Sequence, residues 1–262
     1  MLYAVEHHKA GRNINSEEIS WQQLFKTSED SLTSFVFERL FYLPVELMWT
    51  ILTKACCGSE LPKQAGKMVS TEFWPHWDAE HTSNSIFIEP DVFIRFSEFD
   101  LIIEAKRYDK DQQYQGQWEN QIQAYRNEFS DEKPLFYIAL GGLFTHETQT
   151  VNGIKVVMCR WKSLLEQVKM AHQLLSESEG LLYSSDAILR ILSDLKKVFR
   201  LHGYATGLWF SSLPFQDYSI NSDGFKLSCE PIRKDKVKAT SIPTDYSINY
   251  QITSYTLIKW DL

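Results

Sequence analysis

The chain has 262 residues, of which 44% are hydrophobic and 14% aromatic, and its net charge is −7 at neutral pH. This composition excludes disordered, collagen-like and low-complexity classes and allows a conventional buried core. An acidic chain is a poor candidate for a nucleic-acid coat protein, although it suits an enzyme that reaches a phosphate through metal ions. Neither a secretory signal nor an apolar stretch of membrane-spanning length is visible, so the sequence predicts a cytoplasmic protein with no membrane partner.

Hydrophobic periodicity predicts an alternation of helices and strands up to about residue 175. Apolar residues at helical spacing indicate the helices, and runs rich in Val, Ile and Phe indicate the strands. The predicted elements are a helix over 31–54 that Pro44 divides, strands over 69–74, 85–96 and 100–105, a helix over 112–129, strands over 134–140 and 153–159, and a helix over 160–175.

This order of elements predicts an α/β fold with helices flanking a mixed central sheet. One more amphipathic helix is predicted over 186–201, and residues 204–262 are β-prone, aromatic and rich in turns. We therefore predict an α/β domain over 1–175, followed by an extension over 176–262 that is helical and then β-rich.

Three ionisable side chains fall on the two strands that are predicted to form a hairpin. Glu104 and Lys106 are two residues apart, so on a strand both project from one face, and Asp91 can lie opposite them. Burying such charges is costly unless they are paired or bound to metal. Asp91, Glu104 and the backbone carbonyl of Ala105 offer the hard oxygen ligands that Mg²⁺ or Mn²⁺ prefers.

This ligand set predicts metal-assisted hydrolysis of a phosphodiester. A bound metal ion lowers the pKa of a water molecule and neutralises charge on the phosphate. Lys106 is then expected to orient that water or to stabilise the developing phosphorane. A lysine suits this role because it is a compact charge whose pKa can be lowered by burial next to a cation.

The residues Pro90-Asp91 and Glu104-Ala105-Lys106 resemble the motif of the PD-(D/E)XK phosphodiesterase superfamily, which includes restriction enzymes, Holliday-junction resolvases and recombination exonucleases. The predicted elements between residues 28 and 175 follow the restriction-endonuclease-like αβββαβ core of that superfamily. The resemblance implies a Mg²⁺-dependent nuclease, with DNA as the favoured partner and bacterial defence or DNA repair as the setting.

The resemblance also implies roles for residues on the flanking helices. Gln121 and Tyr125 resemble a Gln-x-x-x-Tyr pair of the exonuclease-like branch, in which both residues contact the substrate backbone or support the site; the alternative is plain packing. Family members often add a helix carboxylate to the metal ligands, and Glu29, Glu38 and Glu46 are the candidates. Glu29 can instead complement the dipole of its helix.

Other functions remain open at this stage. A short basic run that includes Lys234 and Lys236 is either a solvated face or a contact to a nucleic-acid backbone. The chain can also be a catalytically silent member of the same fold that binds nucleic acid, a partner protein or a second copy of itself. In a plain α/β interaction domain, Asp91, Glu104 and Lys106 are only a cross-strand ion pair, and no metal binds.

Overall fold

The computed structural model describes residues 20–205 except 59, 85, 109–111, 130–132, 144, 146 and 178–184, together with the backbone of 13–14 and 17–18. The basic run with Lys234 and Lys236 therefore lies outside the described residues. In chain order the elements are β1 (Asn13–Ile14), β2 (Glu17–Glu18), α1 (Trp21–Thr27), α2 (Glu29–Phe41), α3 (Val45–Ala55), β3 (Met68–Phe73), β4 (Trp77–Asp78), β5 (Phe87–Ile88), β6 (Val92–Phe96), β7 (Asp100–Ala105), α4 (Gln115–Phe129), β8 (Leu135–Leu140), β9 (Gln149–Val151), β10 (Ile154–Cys159), α5 (Trp161–Glu177) and α6 (Ser185–Leu201).

A six-stranded mixed sheet lies at the centre of the fold, with the strand order β3-β6-β7-β8-β10-β9. β6 runs antiparallel to β3 and β7, while β8 runs parallel to β7 and β10. β9 completes the far edge antiparallel to β10. The mixed α/β fold predicted from the sequence is therefore confirmed.

Helices cover both faces of this sheet and form a hydrophobic core on each. Residues along β7 point alternately into one core and the other. Leu101, Ile103 and Ala105 belong to the core that α2, α3, α5 and α6 cover. Ile102 belongs to the opposite core, which α4 covers. The helix of the predicted extension, α6, thus shares a core with helices of the first 175 residues. Among the described elements, no helix is both long and apolar enough to cross a bilayer.

Prolines decide two local features of the fold. Pro44 is the N-cap of α3 and separates it from α2, as the sequence predicts. The single strand predicted over 85–96 is instead two strands, β5 and β6, with Pro90 between them. Proline lacks the N–H that a sheet ladder requires, so β5 pairs with β4 in a separate ribbon while β6 joins the main sheet.

Candidate active site

Glu104 is the most deeply buried carboxylate of the predicted motif, with 2% of its surface exposed. It lies next to the C-terminal end of β7, on the face that α4 covers. Two amides of α4 hold it: Gln117 Nε2 donates to Oε1 at 2.7 Å and Gln121 Nε2 donates to Oε2 at 2.6 Å. The ammonium of Lys106 also donates to Oε1. Three donors therefore fix this carboxylate in one orientation.

Asp91 lies immediately before β6 and faces the same side of the sheet as Glu104. Val92 of β6 pairs with Ile103 of β7, so the same register continues to place Asp91 opposite Glu104. Its Oδ2 accepts a hydrogen bond from the Ala105 N–H at 2.7 Å. The strand parity that the sequence predicts for the two carboxylates is thus present in the structure.

Charges in this cluster perturb one another strongly. Burial, reinforced by the neighbouring Glu104, raises the pKa of Asp91 to about 8. Burial likewise raises the pKa of Glu104, although Lys106 acts in the opposite direction. Burial alone would lower the pKa of Lys106, but the carboxylates around it raise that pKa instead. In the metal-free protein the lysine is therefore a protonated cation at neutral pH.

Two glycines that follow β8 leave room for Lys106. Gly141 and Gly142 have φ angles of 69° and 63°, in the left-handed region that favours glycine. A Cβ at position 141 would collide with the Lys106 carbonyl oxygen, and one at position 142 would lie 2.7 Å from Lys106 Cβ. The same carbonyl accepts a hydrogen bond from Trp161 Nε1 at 2.8 Å. The lysine backbone is thus held against the end of β8.

We expect Gly141→Ala to cost more stability than Gly153→Ala. Both positions have left-handed φ angles, but the Cβ added at Gly153 meets nothing within 4 Å. Gly153→Ala should therefore cost only the backbone strain, about 1–2 kcal/mol, whereas Gly141→Ala adds the collision with Lys106. Urea denaturation of the two variants measures the difference, and equal costs would contradict the packing role of Gly141.

Glu29 is brought to the cluster by the start of α2. Ser28 caps this helix by accepting a hydrogen bond from the Ser31 N–H at 3.3 Å. Glu29 Oε2 then accepts from the Arg107 N–H at 2.5 Å, and Oε1 lies 3.8 Å from Lys106 Nζ. The structure thus places this predicted helix glutamate beside the catalytic lysine candidate, where it can serve the helix dipole and the site together.

Arg107 connects this corner of the site to both α1 and the end of α6. The Nη2 atom of its guanidinium donates to the Lys26 carbonyl at 2.6 Å and to the His202 carbonyl. The Nη1 atom donates to the Tyr204 hydroxyl at 3.2 Å. The residue that directly follows Lys106 is therefore fixed by segments that are distant from it in sequence.

Tyr125 contacts a different part of β7 from Gln121. Both residues lie on the face of α4 that meets β7, as their spacing requires. One helical turn, about 5.4 Å, nevertheless separates them along the strand. The Tyr125 hydroxyl donates to Asp100 Oδ2 at 3.0 Å, at the start of β7, whereas Gln121 contacts Glu104 at its end.

Glu38 also lies apart from the predicted metal ligands. Its side chain is 49% exposed and forms a salt bridge to Arg39 at 3.7 Å. The third candidate, Glu46, lies on the exposed surface of α3. The candidate that reaches the cluster is Glu29, because it stands at the helix start that abuts the end of β7.

Several residues that support Glu104 are not among those predicted from the sequence. Gln117 has the same spacing from Gln121 as Tyr125 has, so a Gln-x-x-x-Gln pair was a readable signal. Tyr137 of β8 donates to Gln121 Oε1 at 2.5 Å, which turns the amide nitrogen of Gln121 toward Glu104. Gln113 Nε2 donates to the Glu104 backbone carbonyl at 3.0 Å.

The donor set fits a hard divalent cation, although it is not a closed protein cage. Among the residues that the structure describes, no group of three or more His, Cys, Asp and Glu side chains is arranged to hold a metal ion. Mg²⁺, however, commonly binds through one or two carboxylates and keeps several water ligands. Asp91 and Glu104 supply two such carboxylates, and their raised pKa values indicate a site in which added positive charge is favourable.

Comparison with known proteins identifies a relative in Pasteurella multocida (strain Pm70), the uncharacterized protein PM0110, which is 30% identical over 272 residues. The similarity covers 93% of this chain and 98% of the relative. No protein-family model matches the chain. The two proteins are therefore similar over nearly their whole lengths.

Proposed function

We propose that this chain, which belongs to the family of the Pasteurella multocida protein, is a metal-dependent nuclease of the PD-(D/E)XK type. The observation that supports this most directly is the convergence of Asp91, Glu104 and Lys106 at one end of β6 and β7. Each of the three is held by hydrogen bonds, and the two carboxylates have raised pKa values. A cluster of this kind is a candidate for catalysis because ionisable groups with strongly shifted pKa values concentrate at functional sites.

The order of elements supports the same proposal. From α2 and α3 the chain passes through β3, the separate β4–β5 ribbon, β6 and β7, and α4 then connects β7 to the adjacent parallel strand β8. This sequence of elements agrees with a restriction-endonuclease-like αβββαβ core, in which the motif occupies two adjacent antiparallel strands. Both the order of elements and the strands that carry the motif correspond to this core. The two features together are more specific than either alone.

In the proposed site the carboxylates of Asp91 and Glu104, with the Ala105 carbonyl, would hold Mg²⁺ or Mn²⁺. When bound, the ion supplies Lewis acidity toward a phosphate oxygen and a water molecule of lowered pKa. Gln117 and Gln121 keep Glu104 in its ligand orientation through two hydrogen bonds. These amides act through Glu104 and are positioning residues.

Lys106 contributes a fixed positive charge to this chemistry. The carboxylates around it raise its pKa in the metal-free protein, so the protonated ammonium can stabilise negative charge on the phosphate. Glu29, at 3.8 Å from the ammonium, helps to hold it on the side of the two carboxylates. We therefore propose that Lys106 acts as an electrostatic catalyst rather than as a general base.

Cleavage assays with divalent ions test this function. We expect the purified chain to cleave DNA with Mg²⁺ or Mn²⁺ and to be inactive in EDTA, on linear, circular or single-stranded substrates. The Asp91→Ala protein, purified in parallel, controls for contaminating nuclease. If the wild-type chain binds Mg²⁺ by calorimetry but cleaves none of these substrates, or their RNA counterparts, it is a catalytically silent binder and the nuclease proposal is wrong.

A further inference from the structure

A groove of about 450 Å³ opens directly beside the carboxylate cluster. Gln117 and Gln121 of α4 line this groove and also donate hydrogen bonds to Glu104, so the groove and the candidate active site share a wall. β5 and residues on either side of it form the opposite wall, which includes Asn84, Phe87 and Glu89. Its volume lies within the range of about 300–1,000 Å³ that is usual for ligand sites.

Two aromatic rings lie exposed along the groove. The Tyr114 side chain, just before α4, belongs to a residue that is 71% exposed, and Phe87 is 40% exposed. Phe87 is held in place because it stacks on His76, with 4.2 Å between ring centroids and 14° between ring planes. His76 is in turn paired with Glu89 at 2.6 Å. The groove therefore presents flat apolar surfaces among polar groups.

Gly116 provides the space that the Tyr114 ring occupies. A Cβ at position 116 would lie 2.6 Å from Tyr114 Cε1, so any larger residue here must displace the ring. Glycine inside a helix is less favourable than alanine. A glycine in the first turn of α4 thus places the aromatic ring at the mouth of the groove.

The groove is preformed, because side chains of α4 anchor the loop that forms its far wall. Asn120 donates to Ser83 Oγ at 2.7 Å and accepts from the Ser83 N–H at 3.0 Å. About two turns of helix further on, Asn127 donates to the Glu80 carbonyl at 2.7 Å. The loop therefore has little freedom to close over the groove.

The chemistry of this lining favours a planar, uncharged and polar occupant. Glu89 is the charged residue among the groove-lining residues that the structure describes, and these include no Lys or Arg, so a phosphate would be repelled. Aromatic rings and side-chain amides are instead the groups that stack on a nucleobase and bond to its edges. The neighbouring cluster, with Lys106, is the place for the phosphate.

We propose that this groove receives an unpaired nucleobase adjacent to the scissile phosphate, so that the substrate is single-stranded nucleic acid. The inference rests on the proposed nuclease function and specifies its substrate class. A base within a duplex would have to leave the stack before it could enter, whereas a base in a single strand is already available. Single-stranded DNA and single-stranded RNA both offer such a base, so binding of the two is measured separately.

Tyr114→Ala is expected to weaken binding of single strands by about 5- to 150-fold, the loss that corresponds to removing one stacked base. Binding is measured by fluorescence anisotropy of short labelled single strands, as DNA and as RNA, in Ca²⁺ with the full chain. Tyr114→Phe keeps the ring and should retain affinity. Tyr42→Ala is the matched control, because Tyr42 is 70% exposed at the C-cap of α2 and away from the groove.

Gly116→Ala supplies a second variant that does not depend on removing the ring. It should displace Tyr114 and weaken binding of single strands, yet it should not lower the melting temperature, because alanine favours the helix. A wild-type chain that binds a blunt duplex of the same sequence more tightly than the single strand would overturn the inference. So would undiminished single-strand affinity in Tyr114→Ala, or no measurable binding at all.

The two proposals fail in different ways. Cleavage of single strands and duplexes at equal rates, unaffected by Tyr114→Ala, would leave the nuclease function in place and overturn the base-binding groove. Single-strand binding that depends on Tyr114, without cleavage under any metal condition, would leave the groove in place and remove the nuclease function.

Discussion

Lys106→Ala should reduce the cleavage rate by at least about 10²- to 10³-fold, the usual loss when one group that stabilises transition-state charge is removed. The variant keeps Asp91 and Glu104, so metal binding should persist. Its affinity should be equal to or higher than that of the wild type, because a cation that neutralises Glu104 has been removed. Single-turnover rates report the first effect and calorimetric titration with Mn²⁺ reports the second.

Lys169→Ala is the matched control for this variant. The two lysine side chains are similarly buried, with 16% of Lys106 and 18% of Lys169 exposed, and Lys169 is paired with Glu166 at 3.1 Å on α5. The control should retain cleavage at the wild-type rate. Undiminished cleavage by Lys106→Ala would show that the ammonium has no role in the chemistry. Equal losses in both variants would indicate a general effect on the fold.

Asp91→Asn is expected to raise the melting temperature of the metal-free protein at alkaline pH and to abolish its stabilisation by Mg²⁺. Burial and Glu104 raise the folded-state pKa of Asp91 to about 8, above its value of about 3.9 in an unfolded chain. Since the folded state holds the proton more tightly, the contribution of Asp91 to stability is greatest below about pH 4. This contribution is lost progressively as the pH rises to about 8, and an uncharged asparagine avoids the loss.

Metal binding should show the opposite pH dependence. Mg²⁺ must displace the proton of Asp91, so the stabilisation that it gives the wild type should grow as the pH rises toward about 8. Calorimetric melting across this pH range, with and without Mg²⁺, measures the pH dependence of both the metal-free stability and the stabilisation by Mg²⁺. Each kcal/mol of change in the free energy of unfolding shifts the melting temperature by about 2–4 °C for a chain of this size. Asp194→Asn, on α6, is the control and should respond to Mg²⁺ as the wild type does. An equal Mg²⁺ response in Asp91→Asn would place the metal elsewhere.

Local periodicity in the sequence was enough to predict the position of the central residues. The hairpin prediction uses the apolar runs of β6 and β7, and the two-residue period of a strand fixes the side to which Glu104 turns. Pro44 and Pro90 are equally local signals. Pro44 predicts the break between α2 and α3, whereas the prediction of one strand over 85–96 uses Pro90 only as part of the motif and not as the end of a strand.

The remaining features depend on relations between distant segments. Gln121 and Tyr125 lie on the face of α4 that their spacing predicts, but nothing in that spacing shows how far along β7 the helix lies. The contact of Tyr137 with Gln121 requires the parallel register of β7 with β8, which has no local signature. The approach of Gly141 to Lys106 likewise follows from that register.

The ties that Arg107 makes to Lys26, His202 and Tyr204 have a consequence for biosynthesis. Translation delivers the N-terminal residues first, at about 5–20 residues per second, so the chain that ends at Arg107 must wait on the order of 5–20 s for Tyr204. During that interval the segment after Lys106 lacks two of its hydrogen-bond partners, the His202 carbonyl and the Tyr204 hydroxyl. The nascent chain therefore carries Asp91, Glu104 and Lys106 well before the contacts to His202 and Tyr204 can form, and only the chain extended through residue 204 completes them.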